Sequence, residues 1–178
     1  MRKLKLQELN RPDVDTYRAT DKLPLVLVLD DIRSALNVGS LFRTADAMGI
    51  AEICLCGITA TPPSREITKT AIGATESVAW QYYEDVTVAL ASLSARGFHI
   101  LTIEQTDRSV KLTDFDASKH EQIAVIVGNE VYGVSESAIA KSHEAVEIAQ
   151  YGTKHSLNVS VCGGIVLHHL SHQMRKLP

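Results

Sequence analysis

No stretch of this chain is long and apolar enough to suggest a membrane span. The longest apolar run, Leu23 to Leu29, is broken by Pro24 and followed at once by Asp30 and Asp31, well short of the roughly 18 residues a span needs. Cysteine is scarce, with three in 178 residues, an odd number that gives no disulfide framework. The opening MRKLKLQELN lacks the apolar core of a secretory signal. Positive charge is not in excess: 18 Lys+Arg against 21 Asp+Glu leave a formal net charge of −3. That balance argues against coating nucleic acid by bulk charge and still allows a local basic patch. Neither G-x-G-x-x-G after a strand nor G-x-x-x-x-G-K-[ST] occurs, so a Rossmann dinucleotide site and a P-loop both lack support. No internal repeat or low-complexity segment is present. What remains is a globular chain with 45% hydrophobic and 22% charged residues, large enough to bury a core and expected in the cytoplasm, away from membranes.

Residues 1–22 are polar and charge-rich and predict an extension leading into a domain over 23–178. From there, short apolar runs alternate with helix-period segments. Strands are expected at Leu25–Leu29, Ile53–Cys56, Val78–Tyr83, Phe98–Ile103, Ile123–Val127 and Ala145–Ile148. Helices are expected over Asn37–Met48 and Asp85–Arg96, each stopped by a glycine, over Ser135–Lys141, and from about Leu157 to Met174. Alternation of this kind predicts an α/β fold, a mainly parallel sheet with flanking helices.

In such sheets ligands gather beyond the carboxyl ends of the strands. Here those ends carry Asp30-Asp31, Gly57, Glu104, Gly128-Asn129-Glu130 and Gln150-Tyr151-Gly152. Three neighbouring segments hold candidate chemistry. In Asn37-Val-Gly-Ser-Leu-Phe-Arg43, Asn37 is a candidate helix cap and Gly39 permits close approach of another backbone. Arg43 is either a functional cation or a surface arginine paired with Asp46 at i+3. In Gly128-Asn-Glu130-Val-Tyr-Gly133-Val-Ser135, the glycines permit a ligand to approach the backbone. Glu130 either orients a hydroxyl or cation or serves a helix N-terminus, with Ser135 as a cap. In His155-Ser156-Leu-Asn158-Val-Ser160, Ser156 and Asn158 open the last helix, as caps or as part of an anion-accepting terminus.

Taken in order, NVGSLFRTADAMG, VGNEVYGVS and HSLNVSVCGGIVL resemble the three-motif signature of the SpoU/TrmH family. These are S-adenosylmethionine (AdoMet)-dependent RNA 2′-O-ribose methyltransferases of the SPOUT superfamily. The resemblance runs from about Leu25 to the end of the last helix. It implies a sheet whose C-terminal segment threads a loop to make a deep trefoil knot, a topology that general folding rules make rare. It also implies AdoMet held in that knot largely by backbone, at Gly128, Ile148 and Leu157, with Asn129 and Ser156 nearby. Arg43 matches the family's catalytic arginine, Asn37 its first-motif asparagine, Glu130 its second-motif glutamate, and Ser156 and Asn158 its third-motif pair.

The implied reaction is methyl transfer to a ribose 2′-hydroxyl, of tRNA in the leading reading and of rRNA in the alternative. A guanidinium rarely gives up its proton, so Arg43 is expected to grip a phosphate and steady the nucleophilic oxygen. Glu130, Asn37 and Asn158 would then position the ribose or the proton acceptor. Members of the family are homodimers, which implies a partner copy, the last helix at the interface, and Arg43 reaching the opposite cofactor site. Gly163-Gly164 inside that helix fit either close packing between copies or relief of crowding within one. Two departures stand out: Ile148-Ala149-Gln150 where Ile-Pro-Met is usual, and His155 where a small residue is common.

RNA contacts are expected from Arg43, Arg65, Lys69 and His155, with Arg2, Lys3, Lys5 and Arg11 as a further basic stretch. No metal is expected: His168 and His172 share a helix face, without an HExxH or a cysteine pair beside them. Cys54 and Cys56 read as buried core thiols. Trp80, Tyr82 and Tyr83 are candidates for base stacking or for packing. The competing classes are a non-catalytic RNA- or AdoMet-binding module and a base N-methyltransferase on the same scaffold.

Overall fold

The computed structural model describes residues 1–175. In chain order it contains α1 (Val14–Ala19), β1 (Leu23–Asp30), α2 (Ala35–Met48), β2 (Ile50–Cys56), α3 (Arg65–Ala71), α4 (Ala74–Ser77) and β3 (Ala79–Tyr83). There follow α5 (Val86–Ala95), β4 (His99–Ile103), β5 (Val110–Lys111), β6 (Ile123–Val127), α6 (Glu136–Ile139), β7 (Glu144–Glu147) and α7 (Val159–Met174), with 3-10 turns at Leu6–Leu9 and Ala117–Lys119. Seven strands form one sheet in the order β3-β2-β1-β6-β4-β7-β5, and every paired neighbour runs parallel.

Strand β1, flanked by β2 and β6, shows why the apolar runs are continuous. Leu27 pairs with Ile53 on one side and Val125 on the other. Leu25, Leu27 and Leu29 face a core closed by α2, α3, α4 and α7. Val26 and Val28 face a second core closed by α5 and α6. A strand covered on both faces has no polar side to show, so its sequence does not alternate.

Helix boundaries are set by caps. Asp85 accepts the Thr87 N–H ahead of α5, and Ser135 caps α6 as expected. Gly49, at φ +62°, ends α2. The start of α2 differs from the expectation: Ser34, not Asn37, is the cap, its hydroxyl accepting the Asn37 N–H at 3.3 Å. Asn37 is thereby inside the first turn with its side chain available for other work. Likewise Asn158 caps α7, which begins at Val159. Pro24 lies inside β1, at its second position, where the strand is still exposed.

Three short elements have no counterpart in the sequence reading. Helices α1 and α4 are too brief for a clear 3.6-residue period, and β5 has only two exposed residues. Residues 1–22 are more than a solvated lead-in, because α1 packs on α4 and the Tyr17 hydroxyl donates to the Asp46 carbonyl at 3.0 Å. Gly39 accommodates α3 as expected of a close approach: a Cβ there would fall 2.4 Å from the Ile67 carbonyl. At Gly163 a Cβ would meet Leu41 of the same chain at 2.5 Å, whereas Gly164 faces open space. The first of that pair therefore serves packing within the chain. Among the described residues no helix is long and apolar enough to cross a membrane.

Candidate functional site

The three motifs meet beyond the carboxyl ends of β1, β4, β6 and β7. After β6 the chain turns back at once, with the Asn129 N–H donating to the Gly133 carbonyl and the Gly133 N–H returning to Asn129, both at 2.9 Å. Asn129 is buried and its side chain builds this turn. Its Oδ1 accepts the N–H groups of Val131 and Tyr132, and its Nδ2 donates to the Asp31 carbonyl at 2.7 Å. Gly128 is required by the same turn: a Cβ would fall 2.2 Å from Gly133 C and Val134 N. A close approach at Gly128 is thus already made by the chain's own backbone.

Glu130 leaves this turn and reaches the N-terminus of α2. Its carboxylate accepts the Arg33 N–H at 2.9 Å, the Ser34 N–H at 3.0 Å and the Asn37 Nδ2 at 2.9 Å. Burial alone would raise its pKa, but the Asn37 amide and the surrounding N–H groups outweigh that and hold it below the usual carboxylate range. Of the two readings open in the sequence, the local geometry is the capping one, applied to a different helix from its own. Asn37 passes the connection on, its Oδ1 accepting from Asn158 Nδ2 at 3.3 Å. Asn158 Oδ1 in turn accepts from the Ser160 N–H at 2.9 Å and hydroxyl at 2.6 Å. A single polar chain thus joins all three motifs.

Beside it lies a cavity of about 350 Å³. Gly128, Asn129, Glu130, Ile148, His155, Ser156 and Leu157 all line it. Its apolar walls include Ile103, Val127, Ile148 and Val159, and its charged side chains among the described residues are Glu104, Glu130 and Glu147, with no lysine or arginine among them. Glu104 was legible only as a carboxylate ending a strand. The structure gives it a role in the wall: Oε2 accepts the Val134 N–H at 3.0 Å and Oε1 the Gln105 N–H at 2.9 Å. Gln105, which carried no signal, donates from Nε2 to the His155 carbonyl at 2.8 Å, and Gln150 reaches the same oxygen at 3.5 Å. The segment with Ala149 in place of proline is therefore pinned through side-chain amides. Ser156 is exposed at the rim and makes no hydrogen bond among the described residues.

Arg43 is not in this cavity. It lies six residues beyond Asn37 on α2, on a helix face about 120° away from it, exposed and without an ion pair among the described residues. The pairing with Asp46 is not formed, since Asp46 Oδ1 accepts from the Ser77 hydroxyl at 2.5 Å. Arg43 instead borders two surface grooves, one with Arg11 and Arg175 and the other with Lys69. Arg65 is exposed on α3 and borders neither groove. Arg2 is paired with Glu8 at 2.5 Å.

The cysteine pair on β2 and the aromatic residues of β3 have structural surroundings. Cys54 and Cys56 are buried on one face of β2, and burial pushes the Cys54 thiol up to about 12 and Cys56 higher still, so neither forms a thiolate near neutral pH. Trp80 packs against the core and the Tyr82 hydroxyl donates to the Gly57 carbonyl.

The sequence profile described as the SpoU rRNA Methylase family matches residues 24–168. The 23S rRNA (guanosine-2'-O-)-methyltransferase RlmB of Vibrio parahaemolyticus is 28% identical over 162 residues, covering 90% of this chain and 64% of that protein. The chain thus spans less than two thirds of that relative's length. The tRNA (guanosine(18)-2'-O)-methyltransferase of Thermus thermophilus is 29% identical over 152 residues, covering 85% of this chain and 76% of that protein. Among solved structures, the A. aeolicus TrmH/SpoU tRNA modifying enzyme superposes with a TM-score of 0.80 at 23% identity, over 92% of this chain and 83% of its own. The AdoMet-bound rRNA methyltransferase from Sinorhizobium meliloti gives 0.80 at 24% identity, over 89% of this chain and 60% of its own. These two likenesses establish the fold.

Proposed function

The chain belongs to the SpoU rRNA Methylase family, and from that premise we propose that it methylates a ribose 2′-hydroxyl of RNA, tRNA before rRNA, with AdoMet as donor. The observation that carries this reading is the polar chain Glu130–Asn37–Asn158 set beside a cavity whose charged walls are all acidic. AdoMet is a sulfonium cation with a flat adenine. A pocket of apolar walls and turn backbone, edged by carboxylates and free of lysine and arginine, suits both parts. Gly128, Asn129, Ile148, Ser156 and Leu157 would hold it, and when bound it supplies an electrophilic methyl group.

The chain's own residues do the rest. Asn37 and Asn158 orient the ribose edge, and Glu130, ionised and already accepting three N–H groups, fixes Asn37 rather than taking a proton itself. Arg43 grips an RNA phosphate and steadies the attacking oxygen through its fork of donors. Lys69 in the adjoining groove and Arg65 on the same helix extend the cationic surface, and His155 meets RNA at the cavity rim.

Because Arg43 lies outside its own chain's cavity, the active unit is a homodimer in which it serves the partner's site. Exposed Val161 and Ile165 on α7, with Leu36 on α2, offer an apolar contact face. The passage from β7 through residues 148–158 to α7 is the segment that forms the trefoil knot. Residues 23–178 make the methyltransferase domain, residues 1–22 an extension braced on it, and the protein works in the cytoplasm.

Labelled AdoMet offered with unmodified tRNA and rRNA tests this directly. The expected product is a 2′-O-methyl nucleoside, from tRNA. A methylated base would overturn the chemistry, and AdoMet binding without transfer to either RNA would leave a binding module.

A further inference from the structure

At the opposite edge of the sheet, where the strands begin, three metal-competent side chains converge. His99 is the first residue of β4, Glu144 the first of the adjacent β7, and His120 ends the 3-10 turn Ala117–Lys119 that leads into β6. One ligating atom of each lies within 4.8 Å of the others. His99 Nε2 is shielded from solvent and makes no well-aligned hydrogen bond among the described residues, although a Glu144 oxygen lies 3.2 Å away. A buried ring nitrogen without a partner is uncommon and calls for an explanation. We propose that His99, His120 and Glu144 form a binding site for a zinc-class divalent cation, independent of the methyl-transfer site.

The donor set is the right kind, since borderline cations take imidazole nitrogen together with carboxylate oxygen. Donors about 2.1 Å from a tetrahedral ion lie about 3.4 Å apart, and His99 and Glu144 are already near that separation. The third ligand has to move. His99 and His120 stack with centroids 3.8 Å apart and planes at 24°, so their lone pairs do not converge, and the His120 imidazole turns out of the stack to close the site. No hydrogen bond holds that ring among the described residues, and the rings stacked on it are His99 and Phe115.

His143 stacks on the far side of His99 but is committed elsewhere, its Nδ1 accepting the Ile100 N–H at 2.9 Å. Burial first, then the neighbouring imidazoles, hold His99 below the ordinary histidine range against the opposing pull of Glu144. Exposed Glu144 leaves the fourth position open to water. An ion here would tie the starts of β4 and β7, the strands whose other ends carry Glu104 and Ile148 into the cavity.

The test uses the full chain freed of metal by chelation, titrated with Zn²⁺ by calorimetry and followed by thermal melting. One equivalent is expected to bind and to raise the melting temperature. His120→Asn and Glu144→Gln each weaken binding by at least about tenfold, while their metal-free melting stays close to that of the parent. The double variant His168→Asn/His172→Asn, which removes the other histidine pair, binds like the parent. No saturable one-to-one binding, unchanged affinity in His120→Asn and Glu144→Gln, or loss only in the His168/His172 variant would each overturn the site.

Discussion

A single carboxylate shows how far local geometry narrows a role. Glu130 makes three hydrogen bonds at the start of α2, where the helix dipole also favours negative charge. Its folded pKa lies below the ordinary value of 4.5. The stabilisation is therefore complete above the unfolded carboxylate range and is lost as pH falls through the folded pKa. Glu130→Gln should cost about 1 kcal/mol at neutral pH and flatten the acid limb of the stability profile, as read from urea melts down to about pH 3. It should also slow methyl transfer by about tenfold, because Asn37 loses its anchor. Arg43 makes the opposite prediction. It is exposed and unpaired among the described residues, so Arg43→Lys should leave melting and AdoMet affinity unchanged while turnover drops by at least about tenfold. Near-normal turnover in that variant would refute the need for a forked donor.

At the scale of elements, two glycines that look alike in the sequence behave differently. A Cβ on Gly39 would press on the Ile67 carbonyl at 2.4 Å and the Thr70 hydroxyl at 2.1 Å, and backbone cannot step aside cheaply. Gly39→Ala should cost about 1–3 kcal/mol by forcing α2 and α3 apart. A Cβ on Gly163 meets the end of the Leu41 side chain, which can rotate. Gly163→Ala should lie within about 1 kcal/mol of neutral, because helix propensity offsets the crowding. Paired denaturation curves check the contrast, and equal losses would mean that α7 is packed as rigidly against α2 as α3 is.

For the whole molecule, the separation of Arg43 from the cavity of its own chain becomes a prediction about assembly. Charged substitutions at Val161 and Ile165 should shift the protein to monomers by light scattering and abolish methyl transfer together with dimer formation. Mixing Arg43→Ala with Asn158→Ala chains should restore about a quarter of the parent activity. Half of a random mixture is heterodimer, and each heterodimer holds one intact site of two. No recovery on mixing would place Arg43 in the service of its own chain.

The sequence by itself determined the α/β class, six of the seven strands to within three residues at either end, and the helix stops at Gly49 and Gly97. Continuous apolar runs and left-handed glycines act locally and leave a readable pattern. It also supplied the three motifs and hence the family. Tertiary structure decided what those motifs do to one another. Asn37 is 93 residues from Glu130 and 121 from Asn158 along the chain, and only the placement of β6 beside β1 brings them together. The same strand order assembles His99, His120 and Glu144 at the far edge. The roles of Gly128 and Gly163 were equally hidden, because the identity of the atom facing a glycine is a fact of packing. Periodicity records what each residue needs from its neighbours in sequence, whereas a site is made by residues that become neighbours only when the sheet closes.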